Sequence, residues 1–187
     1  MAYYDLGLQR KQDIENNLLA LMQETPYDRI AVKDLTDGLQ IARKTFYHYF
    51  HNKQACLESL MDRLILESVL SLVSLSEDAG LQESYEEYLR FWVRNKAFLD
   101  AVNRNNLSFL FMDRVMCYVR QEDSSLQKRF STDVLFCHED ILYGYISSQV
   151  CLILKWCREG FPHSLEEMVK VSLHLAQKPL LSQEETL

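Results

Sequence analysis

Residues that interrupt helices are scarce along this chain, which has only five glycines and three prolines among 187 residues. Runs of alternating β-branched residues, which would favour β-hairpins, are also few. Hydrophobic residues make up 48% of the sequence, which is enough to bury a sizeable core. The sequence therefore predicts an all-α fold.

The N-terminal apolar residues follow the period of an α-helix. A first helix at about residues 8–24 is predicted because four of them, spaced at i, i+4, i+7 and i+8, share one face: Ile14, Leu18, Leu21 and Met22. Pro26 follows its end, since the residue before a proline is pushed out of the α region.

Two short helices come next, at residues 32–38 and at about 42–49, joined by a tight connection. Phe46 and Phe50 lie on the inner side of the later one, whereas Tyr47 points about 100° away from Phe46. Two short helices with exposed donors on the second are typical of the helix-turn-helix, whose second helix enters the major groove of DNA. We therefore expect a three-helix DNA-binding domain at the N-terminus.

A long connecting helix at about residues 52–74 follows, with Asn52 as its N-cap. We call residues 1–53 the head and residues 54–187 the body. The head contains seven cations and seven acids, so the whole net charge of −7 belongs to the body. A neutral head on an acidic body would contact DNA with the head only.

The candidate DNA contacts follow from the chemistry of the third helix. Arg43 and Lys44 lie at its start, where side chains reach deepest, and an arginine there can bind guanine O6 and N7 together. Lys53, in the first turn of the connecting helix, is expected to meet a phosphate. The other side chains that can reach phosphates or thymine methyl groups are Thr45, Tyr47, His48 and Tyr49. For the two tyrosines the alternative is packing between head and body.

The body is predicted to contain further helices near 82–95, 96–103, 107–121, 125–138, 139–159 and 165–176. Ser164 and Glu167 fit a capping box at the start of the last of these. The helix before it carries a seam at i, i+4, i+7, i+11 and i+14, which is either intramolecular core or a self-complementary dimer surface. The seam consists of Leu142, Ile146, Gln149, Ile153 and Trp156.

Six aromatic residues of the body could line an apolar ligand pocket with a few polar groups. The alternative is a filled core, and the sequence leaves both open. These residues are Tyr88, Trp92, Phe109, Phe111, Tyr118 and Tyr143.

Other classes of function lack a motif. A Gly-rich phosphate loop and a nucleophile elbow are absent from the sequence, so an enzyme is not expected, and no cofactor is implied. His138, His163 and His174 form no i, i+4 pair, and we expect no metal site. The five cysteines lack a CxxC pair and read as reduced thiols of a cytoplasmic protein. The uncharged run at 141–154 is too short to span a membrane.

The segment from Ile41 to Lys53, with its Thr-Phe-Tyr-x-x-Phe-x-x-Lys pattern before a long helix, resembles the TetR family of bacterial transcriptional regulators. The resemblance covers about residues 8–60. A weaker similarity at 156–160, with Ser164 and Glu167, is to a subgroup that includes regulators of dihydroxyacetone kinase operons.

The resemblance implies a homodimer whose two heads bind a near-palindromic operator, acting as a repressor or an activator. It implies that the body dimerises through its last two long helices and binds a small-molecule effector or a protein co-regulator. It assigns DNA contacts on the third helix to Arg43, Lys44, Thr45, Tyr47 and His48. It also assigns a phosphate contact to Lys53 and adds Lys33 as a further backbone contact.

Two positions depart from the family pattern. Most members have glycine where Gln40 stands, so Gln40 must adopt any left-handed conformation that the turn needs. Most have serine or threonine where Ala42 stands, and alanine offers no N-cap oxygen. The alternative to a regulator is therefore a helical protein-interaction module whose head no longer reads DNA.

Overall fold

The computed structural model of the chain describes residues 2–76, 78–120 and 139–177. Every regular element within these ranges is helical, which confirms the predicted fold class. None of the helices in them is long and apolar enough to cross a membrane. In chain order the elements are α1 (Ala2–Glu24), a 3-10 turn (Tyr27–Arg29), α2 (Val32–Gly38), α3 (Arg43–Tyr49), α4 (Lys53–Val73), α5 (Leu81–Arg94), α6 (Lys96–Arg104), α7 (Ser108–Val119), α8 (Glu139–Arg158) and α9 (Leu165–Gln177).

The largest difference from the predicted helices is at the N-terminus, where α1 begins at Ala2 and not near residue 8. The added turns had no apolar face to reveal them, since Leu6 and Leu8 are exposed. α2 has the predicted bounds, and α3 begins one residue later than expected. The helix predicted at 125–138 lies outside the described residues.

Phe46 lies in the core of the head. Ile14, Leu18, Leu35 and Phe46 have no exposed surface, and Phe50 is also buried. Full burial of one such side chain contributes about 1.5–3 kcal/mol. The inner side of α3 is thus held against α1 and α2, and its outer side is left to solvent.

α2 approaches α1 closely at its last residue. Asn17 Nδ2 donates a hydrogen bond to the Leu35 carbonyl at 3.0 Å. A Cβ on Gly38 would lie 3.0 Å from the same nitrogen, tighter than ordinary van der Waals contact. Glycine at this position therefore lets the end of α2, and with it the turn before α3, settle against α1.

A polar cluster joins α1 to α4. Glu15 is buried and accepts hydrogen bonds from Ser59 Oγ at 2.7 Å and from Arg63 Nε at 2.6 Å. Arg63 also donates to Asn16 Oδ1 at 2.8 Å and to Glu67 Oε1 at 3.1 Å. α1 belongs to the head, and α4 leads from the head into the body. The cluster therefore fixes how the head is oriented on α4.

α5, α6 and α7 pack around three aromatic rings. The Trp92 ring centroid lies 5.9 Å from that of Phe98 and 5.4 Å from that of Phe111. α8 covers α6, where Asn103 Nδ2 donates to the Leu154 carbonyl at 3.0 Å. The core of the body is therefore aromatic at its centre and tied to α8 at its edge.

The connection between α8 and α9 follows the predicted chemistry. Gly160 adopts a left-handed φ of 78° just after α8 ends. The Ser164 amide donates to Glu167 Oε2 at 2.8 Å, and the Glu167 amide donates to Ser164 Oγ at 3.2 Å. The capping box is thus confirmed, and it starts α9 at the predicted residue.

The seam predicted along α8 belongs to the core of a single chain. Its members are buried or, for Ile146, packed against the buried cluster. Trp156 is an example, because its indole N–H donates to the His163 carbonyl at 3.2 Å and its ring meets that of Phe161. A side chain that its own chain already covers leaves no area for a second copy. The assignment to a dimer surface is therefore corrected to intramolecular core for Leu142, Gln149, Ile153 and Trp156, while for the half-buried Ile146 it stays a prediction.

Candidate nucleic-acid interface

The turn between α2 and α3 is a Schellman motif built on a residue other than glycine. The Ile41 amide donates to the Thr36 carbonyl at 3.0 Å, and the Gln40 amide donates to the Asp37 carbonyl at 3.1 Å. Gln40 has a φ of 53°, the left-handed conformation that this motif requires. The helix-turn-helix connection therefore forms without its usual glycine.

Replacing Gln40 with glycine is expected to raise the free energy of unfolding by about 1 kcal/mol. A left-handed backbone costs a side-chain-bearing residue about 1–2 kcal/mol, and part of that gain is lost to the greater freedom of glycine in the unfolded chain. Urea unfolding of both proteins measures the difference. Substituting glycine for Gln54, an exposed residue in the first turn of α4, should instead lower stability, and a loss at both positions would contradict the turn geometry.

α3 begins without a side-chain cap. Ala42 has the extended backbone of an N-cap, with φ −70° and ψ 145°, but it accepts no amide hydrogen bond through its side chain. Serine or threonine there would contribute about 1 kcal/mol. Alanine at position 42, in place of the usual serine or threonine, therefore weakens the start of α3 without changing the direction of the helix.

The outer face of α3 presents one row of polar side chains. Arg43 and Lys44 are followed one turn later by Tyr47 and His48, and all four are exposed. Tyr47 is 53% exposed while its neighbour Phe46 is completely buried, and the edge of one ring meets the face of the other at a centroid distance of 5.4 Å. This row has the spacing of one helical face, which is the surface that a major groove can take in.

The other two predicted residues of α3 lie at the edge of this row. Thr45 and Tyr49 are half-buried, and Tyr49 packs against the core. The Tyr49 ring also meets His48 at a centroid distance of 4.9 Å. Packing, the alternative reading, thus accounts for Tyr49, whereas Tyr47 is free to contact a ligand.

Three cations on this side of the head have no acidic partner. Arg43 and Lys44 on α3 and Lys33 on α2 are exposed, and within the described ranges none of them takes part in an ion pair. Uncommitted cations attract phosphate, because nothing must be displaced before they bind it. α2 and α3 together therefore present a small positive surface.

Lys53 is held inside the head, in contrast to these three. Its Nζ donates to the Tyr27 carbonyl at 2.5 Å and to the Ile30 carbonyl at 2.7 Å, and it lies 4.1 Å from the centre of the Tyr27 ring. Burial lowers the pKa of Lys53, against the opposing effects of Asp28 and Asp34. Two of its three donors thus serve the fold, and its predicted phosphate contact stays a prediction with one donor left.

Replacing Lys53 with methionine is expected to lower the free energy of unfolding by about 1–3 kcal/mol, because two carbonyls lose a charged donor. Urea unfolding measures this loss. The salt dependence of DNA binding is expected to change less than for Lys33→Ala. Unchanged stability together with a salt slope reduced by about 1 would mean that Lys53 binds phosphate instead.

The 3-10 turn also joins the head to α6. The Tyr27 amide donates to Asn105 Oδ1 at 2.6 Å, and Arg104 Nη1 donates to the Gln23 carbonyl at 3.0 Å. Gln23 Nε2 returns a bond to the Ala97 carbonyl at 3.0 Å. No feature of the sequence indicated that the segment after α6 binds the head.

The six aromatic residues predicted to line a pocket are only partly brought together, because the Trp92 ring meets those of Tyr88 and Phe111 while Phe109 and Tyr143 are exposed. Trp92 and Phe111 are buried against each other, Tyr88 and Tyr118 are half-buried, and Phe109 is 80% exposed. Tyr143 is exposed as well. Burial raises the pKa of Tyr88. Filled core, the second alternative, therefore describes Trp92 and Phe111, and the exposed pair cannot line an enclosed pocket with them.

Gln149 is a polar residue in the core of the body whose side chain is unsatisfied among the described residues. It is 6% exposed, and within the described part of the chain neither Nε2 nor Oε1 has a hydrogen-bond partner. Ser172 Oγ, on α9, is likewise buried without a partner. Each orphaned buried group costs about 1–3 kcal/mol. The sequence placed Gln149 in the seam by its spacing, and the spacing could not reveal a missing partner.

Metal and thiol chemistry find little support among the described residues. No group of three or more His, Cys, Asp or Glu side chains occurs there that could hold a metal ion. His138 lies outside the described residues. Cys56, Cys117, Cys151 and Cys157 are free thiols, and burial raises the pKa of Cys56 and of Cys157 to about 12. Neither buried thiol is a nucleophile at neutral pH.

The head has curated relatives. Residues 18–60 match the family described as bacterial regulatory proteins, tetR family. The chain is 40% identical to the HTH-type transcriptional regulator EthR of Mycobacterium tuberculosis over 58 residues, 31% of this chain and 27% of that protein. It is 47% identical to EthR of Mycolicibacterium smegmatis over 45 residues. The chain thus spans about a quarter of the length of these relatives.

Solved structures share the whole fold. A TetR transcriptional regulator from Streptococcus agalactiae has a TM-score of 0.66 at 18% identity, over 95% of this chain and 99% of that one. The dihydroxyacetone kinase operon activator DhaS has a TM-score of 0.60 at 22% identity, over 90% of this chain and 95% of that one. At these identities the likeness is one of fold alone.

Proposed function

Since this chain belongs, through residues 18–60, to the tetR family of bacterial regulatory proteins, we propose that it is a sequence-specific DNA-binding transcriptional regulator. The observation that carries the proposal is the outer face of α3. Arg43, Lys44, Tyr47 and His48 are exposed there in one row, above a buried inner face. A helix whose inner face packs on the core and whose outer face carries polar side chains is suited to the major groove.

In this mechanism each residue of the row has a chemical task. Arg43, at the start of α3, binds guanine O6 and N7, a contact that contributes about 1–3 kcal/mol of discrimination. Tyr47 and His48, one turn on, reach phosphates or thymine methyl groups. Lys44 and Lys33 bind the DNA backbone and fix the position of the head without reading bases.

One head is a weak binder by itself. Its three uncommitted cations neutralise few phosphates, and the salt-dependent part of the affinity grows with that number. A homodimer on a near-palindromic operator doubles the contacts, with half-sites about 34 Å apart. Because the seam of α8 is buried, we place the dimer surface on the exposed sides of α8 and α9, where Tyr143 and Val171 are exposed apolar residues.

Control of DNA binding requires that a signal in the body moves the heads. α4 connects body and head directly, and the bonds from Arg104 and Asn105 form a second connection from α6. A small molecule or a protein partner that binds one arrangement of α4 and α6 more tightly shifts the equilibrium towards that arrangement. The size of the shift is set by the difference between its affinities for the two arrangements. The spacing of the two heads changes with it.

A gel-shift titration with salt tests the proposal. Full-length protein is mixed with the DNA upstream of its own gene and with random DNA of equal length. We expect a complex with the upstream DNA that survives salt at which random DNA is released, and light scattering is expected to give two chains per site. Lys33→Ala should reduce the salt slope by about 1. Arg94, an exposed cation on α5, serves as the control, and its alanine variant should leave the slope unchanged.

Equal retention of both DNAs at every salt concentration would favour a protein-interaction module instead. In that case the head would keep its fold but would not distinguish one DNA sequence from another.

A further inference from the structure

Two of the five histidines of the chain lie at the end of α3, the helix that carries the candidate DNA-binding face. His48 belongs to the outer row of α3, and His51 lies in the connection to α4. Both side chains are exposed. Histidine is the residue whose charge ordinarily changes between pH 5 and 8. The charge of this end of the head can therefore change near neutral pH, which the charges of Arg43 and Lys44 do not.

Neither imidazole has a partner within the chain that would fix its charge. The His48 ring meets the Tyr49 ring edge to face, at a centroid distance of 4.9 Å. Across the described ranges, neither histidine forms an ion pair or a hydrogen bond through its ring nitrogens. Both rings are thus free to bind a group that approaches from solvent.

The charged groups around the two histidines are of both signs. They are Lys11 of α1, Lys33, Asp34 and Asp37 of α2, Arg43 and Lys44 of α3, and Lys53 and Glu58 of α4. Asp34 accepts the Ala31 amide at 2.7 Å, and Glu58 accepts the Gln54 side-chain amide at 2.7 Å. No acid in the described part of the chain lies within ion-pair distance of either imidazole. The counter-charge of a protonated ring must therefore come from outside, and a DNA phosphate supplies it.

We propose that protonation of His48 and His51 sets the affinity of the head for DNA phosphates, so that DNA binding tightens as the pH falls. A phosphate beside an imidazole favours its protonated form, and binding is therefore accompanied by proton uptake. The extra affinity is complete in mild acid and is lost as the pH rises above neutrality. The inference rests on the proposed function, because it requires that the outer face of α3 meets DNA.

The expected effect is large because the head has so few other free cations. Two protonated histidines would raise the three uncommitted cations of α2 and α3 to five. Each further phosphate that is neutralised adds about 0.9 to the salt slope of DNA binding. A homodimer repeats the pair in both heads. The proton would thus act on the head itself, separately from any signal that reaches it through α4 or α6.

Fluorescence anisotropy of the full chain at pH 6 and pH 8, at one fixed salt concentration, tests the proposal with the upstream duplex and a random duplex. The wild-type protein is expected to bind both duplexes about tenfold more tightly at pH 6. The double variant His48→Gln with His51→Gln should keep the affinity seen at pH 8 and lose the increase. His48→Lys should bind tightly at both pH values. His163→Gln, a substitution in the turn between α8 and α9, is the matched control and should retain the increase.

Equal affinities of the wild-type protein at the two pH values would overturn the proposal. An undiminished increase in the double glutamine variant would do the same, and so would an increase confined to the upstream duplex. Should the double variant fail to fold, titration calorimetry of the wild-type protein in two buffers of different ionisation enthalpy decides the matter, because binding without proton uptake contradicts the proposal. Equal affinity for both duplexes with the pH dependence intact would remove the sequence-specific regulator and keep this inference. Discrimination between the duplexes without pH dependence would do the reverse.

Discussion

Replacing Arg63 with alanine is expected to lower the free energy of unfolding by about 3 kcal/mol. The substitution leaves Glu15, which is 2% exposed at its side chain, with only the Ser59 hydroxyl as a partner. Removal of one member of a buried ion pair costs about 3–5 kcal/mol, and the lower end applies because one-fifth of Arg63 remains in solvent.

Urea unfolding of three variants tests this prediction. Arg90→Ala is the matched control, because Arg90 makes an equally short ion pair with Glu86 on the surface of α5. That pair should contribute less than about 1 kcal/mol. The double variant Glu15→Leu with Arg63→Met should recover most of the lost stability, since no buried charge is left alone. Similar losses for Arg63→Ala and Arg90→Ala would show that the cluster between α1 and α4 does not hold the head.

Replacing Arg43 with alanine is expected to reduce affinity for the specific operator by about tenfold to a hundredfold, which corresponds to about 1–3 kcal/mol. Affinity for random DNA should fall much less, because base reading and not phosphate binding is removed. Stability should stay unchanged, since Arg43 is exposed and has no partner among the described residues.

Fluorescence anisotropy with operator and random duplexes at one fixed salt concentration measures both affinities. Lys44→Ala is the informative companion, because a backbone contact should weaken both duplexes alike. If Arg43→Ala also lowered the two affinities by equal factors, Arg43 would be a phosphate contact and the specificity would have to come from another residue.

The helices of this chain could be predicted from local features. Apolar residues at helical spacing, Asn52 as an N-cap and the capping box at Ser164 each act through neighbours a few residues away, and the structure confirms the helices that they predicted. The left-handed conformation of Gln40 was expected from the family resemblance, since most members have glycine at this position, and the structure shows it.

Contacts between distant segments could not be predicted. Lys53 finds its carbonyl partners 26 and 23 residues away, and Glu15 finds Arg63 48 residues away. A single sequence does not show such pairs. For the same reason spacing could not decide whether the seam of α8 faces its own chain or a second one, since both surfaces are apolar.

The aromatic residues of the body illustrate a third limit. Phe109 and Phe111 are alike in sequence, but one is 80% exposed and the other 1%. They lie about 200° apart around α7, so the helix that buries one exposes the other. Composition alone therefore could not separate a pocket from a filled core.

Selection of binding sites from a pool of random duplexes tests most directly whether the outer face of α3 reads DNA. The wild-type protein is expected to enrich one near-palindromic sequence, and Arg43→Ala is expected to lose the preference at one base pair in each half-site. Enrichment of no sequence by the wild-type protein, or the same sequence with equal strength by both, would contradict the assignment of this face as the reading surface.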